Sequence, residues 1–455
     1  MTDAALAAPG LHRSILAIAA PSMATNVATA LFGMADMWVI GRLGEAAPQG
    51  AVEVGAKLLM TVLIVFNFLR SGTVALTAQA AGREDAAAQA ATLVRGVAAA
   101  LAIGAALLLA RPLVIDLGLR LFGAGGSVTA MARTYVGIRY WGALPWLINA
   151  VLVGWLIGRK RMGAVLAVEV GSNIAHVALD LSFVLILHWG VAGVAAATLT
   201  SETLKLAALV GMAAREAPAR RALALLGARA TWTAGELTAL FRLNRDLLGR
   251  TALLMTATVL LTRAGARQGA TILAANAILY QLFTLSALLL DGFESATQVL
   301  CGEALGAGRR ARFAAVVRAS LAWAIGAAAI ITAAYALFGA RFAAAFSAAP
   351  AVVHATAAYA GWAVAMPLAG VVSFVFDGVF IGSSWTRAML LSMAAALAVF
   401  VAALAAFAGL GNDGLWLAFT LFFLARAAGQ AAMLPGLMRR GFGARQSVSN
   451  TWRSI

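Results

Sequence analysis

Charge is what this sequence has least of. Of 455 residues only 11% are Asp, Glu, Lys or Arg, against roughly a quarter in a soluble globular protein. So few cannot cover a water-exposed surface, so the solvent for most of the chain is lipid. Cysteine is nearly absent. Cys301 stands alone, which excludes an internal disulfide and leaves it as a small residue near a helix end. The histidines His12, His176, His188 and His354 are scattered, and no His/Cys group has metal-ligand spacing. The start, MTDAALAAPGLHRSIL, lacks a basic stretch, an apolar stretch and a small-residue cleavage site in sequence. It is expected to be a cytoplasmic tail rather than a signal peptide.

What is present is hydrophobic, 62% of the chain. Twelve apolar runs can be marked between charged or Gly/Pro breaks: 14–40, 50–75, 90–110, 128–154, 163–187, 190–212, 246–268, 270–298, 313–339, 353–381, 388–409 and 414–437. Each approaches or exceeds the ~20 residues a spanning helix needs. They are too long for barrel strands, and lipid-embedded backbone must bond within its own segment. The fold class is therefore an all-α polytopic membrane protein with twelve transmembrane helices.

The net charge of +16 does not indicate nucleic acid, because its placement is one-sided. Twenty-one basic residues fall in the even-numbered loops and the tails, and six (Arg42, Arg111, Arg120, Arg263, Arg267, Arg341) in the odd loops. Basic residues mark the cytoplasmic side of short loops. Both termini are thus expected in the cytoplasm, in a bacterial inner membrane, with the excess charge facing anionic lipid headgroups.

Three landmarks recur at one offset. Gln79–Gly82 matches Glu303–Gly306, Gly154–Gly158 matches Gly378–Gly382, and Gly190–Gly193 matches Gly414–Leu417, each 224 residues apart. Two six-helix lobes of the same orientation follow: residues 1–213 and 246–455, joined by a basic cytoplasmic linker, 214–245. A parallel repeat of this kind surrounds a central cavity in transporters that alternate access by rocking one lobe against the other.

Charges inside the runs are costly and are functional candidates by default. Some have a structural reading. Glu202 and Lys205 are spaced i,i+3 for an ion pair, Glu169 lies about two turns from the basic loop at 159–161, near enough for a local ion pair, Arg70 is placed for a cross-helix carboxylate, and Lys57 and Arg426 are further cations. Asp291 and Glu294 share a helix face, to pair with Arg70 or Arg426 or to receive a cationic substrate; Asp377 is a further acid. Asp36 and Asp180 have no basic neighbour within a turn. Asp180 follows His176 by four residues and Asn173 by seven, so the three share a face.

The stretches PSMATNVATALFGMADMWVIGRLG, FLRSGTVALTAQAAG, VGWLIGRKRMGAVLAVEVGSNIAHVALDLSFVLILHWGVAGVAAATLTSE, ALLLDGFESATQVLCGEALGAG and FDGVFIGSSWTRA resemble the multidrug and toxic compound extrusion (MATE) transporters, DinF-like branch. The resemblance covers nearly the whole chain. It implies two six-helix bundles forming a V, export of amphipathic, often cationic drugs, a coupling ion but no cofactor, and no enzymatic activity. It places the ion-coupling residues at Asp36, Asp180, Thr198 and Tyr135, and the bend of the first helix at Pro21. The family commonly has asparagine where this chain has His176. Sodium prefers oxygen ligands and imidazole suits proton relay, so H⁺ coupling is expected, with Na⁺ at Asp36 and Asp180 the alternative.

In the expected cycle Asp36 takes a periplasmic proton, the cluster with Asp180, His176 and Thr198 rearranges, and helix 1 shifts near Pro21 as substrate leaves. Phe32, Met34, Met37, Met60, Phe66 and Met255, with Asp291, Glu294 and Asp377, are candidates to line the substrate cavity, since Met-rich surfaces repack around varied ligands. Their ordinary role would be packing. Partners are small organic cations and membrane lipids, with no nucleic acid, and a monomer is expected. The rival function is a lipid-linked oligosaccharide or lipid flippase, which needs a cationic interior to hold pyrophosphate; the interior charges named above are mostly acidic. An integral-membrane enzyme would need a nucleophile–base pair or metal cluster, and none is evident.

Overall fold

The computed structural model describes residues 10–42, 45–121, 125–346 and 349–451, without side chains for 31–35, 223, 340, 342–345 and 444–451. Among the described residues all regular structure is helical. Twelve long helices carry the fold: α1 Leu11–Gly41, α2 Ala46–Gly82, α3 Ala86–Leu121, α4 Gly126–Gly158, α5 Met162–Ile186, α6 Gly190–Ala214, α7 Ala234–Ala266, α8 Ala270–Gly306, α9 Arg310–Phe346, α10 Pro350–Gly382, α11 Thr386–Ala406 and α12 Gly411–Thr451. Eleven contain a window long and apolar enough to cross a bilayer, and α1 precedes them. The protein is a polytopic helical membrane protein of two six-helix halves.

The helices outrun the apolar runs because their charged ends extend beyond lipid. α7 begins at Ala234 rather than near 246, with Glu236, Arg242 and Arg245 in its first turns. α3 begins four residues earlier than its run, where Asp85 caps it by accepting from the Ala88 N–H at 2.8 Å.

The repeat is written into the backbone. α2 and α8 end 224 residues apart, as do α4 and α10, and so do the starts of α3 and α9 and of α5 and α11. The turn after α2 takes a left-handed residue at Glu84 (φ 58°), and its counterpart after α8 is Gly308 (φ 69°). Gly154 and Gly378 do the same work in each half. A side chain at Gly154 would strike the Arg70 carbonyl of α2, and one at Gly378 the Glu294 carbonyl of α8. Small residues let lipid-embedded helices close on each other, since lipid supplies little hydrophobic drive between them.

Contacts divide the chain into two compact units, Ala24–Leu240 and Met1–Met23 with Phe241–Ile455. The boundary falls inside α1, two residues after Pro21, which removes one backbone donor from that helix. The first turns of α1 pack on α8: Ser22 Oγ donates to Ser295 Oγ at 3.0 Å, and Gly292 admits Met23 and the Ala19 carbonyl.

The segment before α7 folds onto its own unit. Glu216 bridges Arg159 and Arg161 at 2.6 and 2.7 Å, and Arg95 reaches the Thr231 carbonyl at 2.7 Å and Glu236 at 2.8 Å.

Candidate functional site

The half formed by residues 24–240 brings together three of the candidates. α1 carries Asp36, and one face of α5 carries His176 and Asp180. His176 Nε2 stands 2.7 Å from Asp36 Oδ1 and 3.0 Å from Asp180 Oδ2. The Asp180 side chain is fully buried; those of Asp36 and His176 are 15% and 11% exposed. No lysine or arginine lies within ion-pair distance of either carboxylate among the described residues. The imidazole between them pairs with both, and Arg139 of α4 acts on Asp36 from further away.

Immediately after Asp180 the helix widens into a π-turn, Leu181–Ile186. Such insertions shift register by one residue and often accompany functional sites. The helix then ends through His188 at φ 55° and Gly190 at φ 52°.

The fourth member was not foreseen. Ser201 of α6 donates its hydroxyl to the Thr198 carbonyl at 2.9 Å. Its lone pairs therefore face His176 Nδ1, also at 2.9 Å, which makes Nδ1 the donor in that pair. It stands three residues beyond Thr198, and nothing in the sequence marked it.

The other candidates are placed as follows. The Thr198 hydroxyl is turned back to the Val194 carbonyl at 3.0 Å, so Thr198 touches the cluster through its carbonyl and Ser201. Buried Tyr135 contacts Arg139, one turn later on α4. Asn173 Nδ2 is buried without a hydrogen-bond partner. Met37 packs against the apolar core of this half, Met60 is 67% exposed, and Phe66 sits edge-on to Phe68 in a 3₁₀ break of α2. Met255 is half-buried on α7. The side chains of Phe32 and Met34 lie outside the described residues.

Two ion pairs differ from expectation. Lys205 binds Glu169 of α5 at 2.8 Å rather than Glu202. Glu202 instead accepts from Asn149 Nδ2 of α4 at 2.8 Å. The physical reason is burial: Glu169 is 9% exposed, too deep for the loop arginines, and a buried carboxylate needs a charged partner at its own depth. Arg70 has no carboxylate partner among the described residues. Two interior cations were also passed over, Arg139 and Arg250, each inside an apolar run.

Arg250 matters in the other half. There Asp377 of α10, fully buried, is bound by both Arg250 of α7 and Arg426 of α12. Gln430 Nε2 donates to its second oxygen at 2.8 Å. Arg426 is 1% exposed. Asp291 and Glu294 of α8 lie within electrostatic reach of both arginines.

Comparison with known proteins gives the family. The MatE family model matches residues 21–182 and 249–407, most of both halves. The chain is 35% identical over 429 residues to DNA damage-inducible protein F of Escherichia coli (strain K12), covering 93% of this chain and 92% of that protein. The chain belongs to the MATE family of transporters. It is also 30% identical over 309 residues to the probable multidrug resistance protein NorM of Deinococcus radiodurans, covering 66% of this chain and 65% of that one. Among solved structures, a MATE transporter in the bent conformation superposes with TM-score 0.85 at 18% identity, covering 97% of each chain. An outward-facing MATE transporter of the MOP superfamily superposes with TM-score 0.83 at 19% identity, covering 95% of this chain and 96% of that one. This MATE protein is thus a multi-pass membrane transporter and not an enzyme.

Proposed function

We propose that this transporter is a secondary active multidrug antiporter that exports amphipathic and cationic compounds in exchange for inward H⁺. Asp36, His176 and Asp180 form its coupling site, supported by Ser201 and Thr198. It sits in a bacterial inner membrane with both termini cytoplasmic, the side marked by the basic loops. Residues 24–240 carry the coupling site, and helix α1 responds to it.

The single observation behind proton coupling is the position of His176 Nε2. With Nδ1 committed as donor to Ser201, a neutral imidazole presents a bare lone pair at Nε2. Two carboxylate oxygens stand 2.7 and 3.0 Å away. Three acceptors at this distance repel one another unless a proton or a cation lies among them, and on the present reading it is a proton, on Nε2 or on a carboxyl oxygen. Remove that proton and the cluster repels itself, with Asp36 on a different helix from the other two. Protonation therefore holds α1 against α5, and deprotonation releases it and leaves an anionic site for a cation. A driving ion must bind the two conformations differently to shift their equilibrium, and this geometry supplies such a difference. Sodium would have to accept a nitrogen among its ligands, against the oxygen preference of hard cations.

A flippase for pyrophosphate-linked lipids needs free interior cations. Arg250 and Arg426 are both engaged by Asp377, so that reading gains no support.

The test is uptake of a fluorescent cation into proteoliposomes under separately imposed H⁺ and Na⁺ gradients. Uptake follows the H⁺ gradient, is indifferent to Na⁺, and falls to the level of protein-free vesicles for Asp36→Asn. Sodium-driven uptake, or wild-type uptake by a folded Asp36→Asn variant, overturns the proposal.

A further inference from the structure

We propose that the groove between the end of α7 and the α11–α12 turn binds the headgroup of an anionic phospholipid. The groove has a volume of about 380 Å³ and is wholly within the half that holds residues 241–455. Arg263 and Arg267, one helical turn apart, line it together with Gln268. Its walls are apolar: Leu260, Leu404, Phe407 and Leu415. This site is separate from the coupling cluster and does not rest on it.

Three features point to a phosphate-bearing amphiphile. First, the arginines are exposed, and neither has a carboxylate or carbonyl partner among the described residues. The nearby acid of the α11–α12 turn, Asp413, is instead held by Trp362 Nε1 at 2.8 Å. Guanidinium pairs match phosphate oxygens bidentately. Second, the arginines fall in an odd-numbered loop, and the odd loops carry six basic residues against twenty-one in the even loops and tails. Cations there are not explained by the bias that orients membrane proteins. In other odd loops Arg42 stacks over the Trp38 ring, and Arg111 donates to the Gly137 carbonyl at 2.8 Å. Third, the groove joins a cationic rim at a spanning helix's end to leucine and phenylalanine walls, which is the layout of a headgroup above acyl chains.

The groove's shape is built by the turn. Gly411 takes φ +61°, and a side chain at Gly414 would strike the Phe407 carbonyl. The turn folds tightly there, leaving the space beside Arg263 and Arg267 open.

A plainer role for the pair is to complement the carbonyl end of the α7 dipole. That role predicts an effect on stability in any lipid and no preference among lipids, so the two can be separated. The experiment is native mass spectrometry of the whole transporter from nanodiscs of phosphatidylcholine with or without phosphatidylglycerol, and with inorganic phosphate as a separate arm. Wild type retains phosphatidylglycerol in preference to phosphatidylcholine, and millimolar phosphate does not displace it. Arg263→Ala/Arg267→Ala weakens that retention about tenfold or more, the loss expected for charge-assisted hydrogen bonds. Arg120→Ala, an arginine of another odd-numbered loop, leaves it unchanged. Equal retention by the double variant, equal loss in Arg120→Ala, no headgroup preference in wild type, or displacement by phosphate alone would each overturn the proposal.

Discussion

The two halves share a backbone repeat and differ in what they bury. In residues 24–240, two interior carboxylates meet across one imidazole. In residues 241–455, one interior carboxylate is held by two guanidiniums and an amide. Imidazole changes charge in the physiological range, whereas guanidinium does not. The first cluster can therefore gain and lose a proton, and the second is fixed in charge. On the proposed reading, the backbone repeat carries a movable cluster in one half and a clamp in the other.

That contrast can be broken by experiment. The largest stability effect belongs to the clamp. Arg426→Leu leaves Asp377 partly unpaired in the interior, at a cost of about 3–5 kcal/mol, read as a fall in unfolding temperature and in yield. The surviving folded protein keeps its H⁺ dependence; a switch of coupling ion would show that the second half also couples. In the movable cluster, His176→Asn removes a charge-assisted hydrogen bond worth about 1.5–3 kcal/mol. It lowers H⁺-driven uptake by about tenfold or more and lowers the unfolding temperature by less than Arg426→Leu does, as measured by transport and thermal melts on the same preparation.

Ser201→Ala is gentler, since one neutral hydrogen bond contributes about 1 kcal/mol. It slows H⁺-driven uptake several-fold, and Ser201→Thr, which keeps the hydroxyl, restores it. The smallest effect is outside the membrane. Burial opposes ionisation of Glu216, but Arg159 and Arg161 hold its carboxyl below the usual range. A depressed carboxyl stabilises the fold above its ordinary value of 4.5, and that contribution is lost as pH falls through its lower folded value. Glu216→Gln therefore costs up to about 1 kcal/mol at neutral pH, and its melting curve converges with wild type below pH 4.5.

The fold was legible because lipid imposes it. Apolar runs must be helices, basic loops mark one side, and the offset of 224 residues between Gly158 and Gly382 reappears as equal helix ends. The pair His176 and Asp180 was legible from i,i+4 spacing. The approach of Asp36 was expected only through the family resemblance, because Asp36 and His176 are separated by 140 residues and no local pattern links them. Ser201 was missed because a serine among alanines and threonines carries no signal until its partner is known. Arg250 and Arg139 were missed because long apolar helices hide single cations, and the pairing of Lys205 with Glu169 rather than Glu202 depends on depth, which spacing does not encode.

Proton release on binding of a lipophilic cation tests the central claim most directly. The detergent-solubilised transporter is mixed with the cation in weak buffer, and the pH change is followed. Wild type releases about one proton per cation bound, the value set by a single shared proton among His176, Asp36 and Asp180, and Asp36→Asn binds without release. Undiminished release by Asp36→Asn, or binding by wild type with no release, would contradict it.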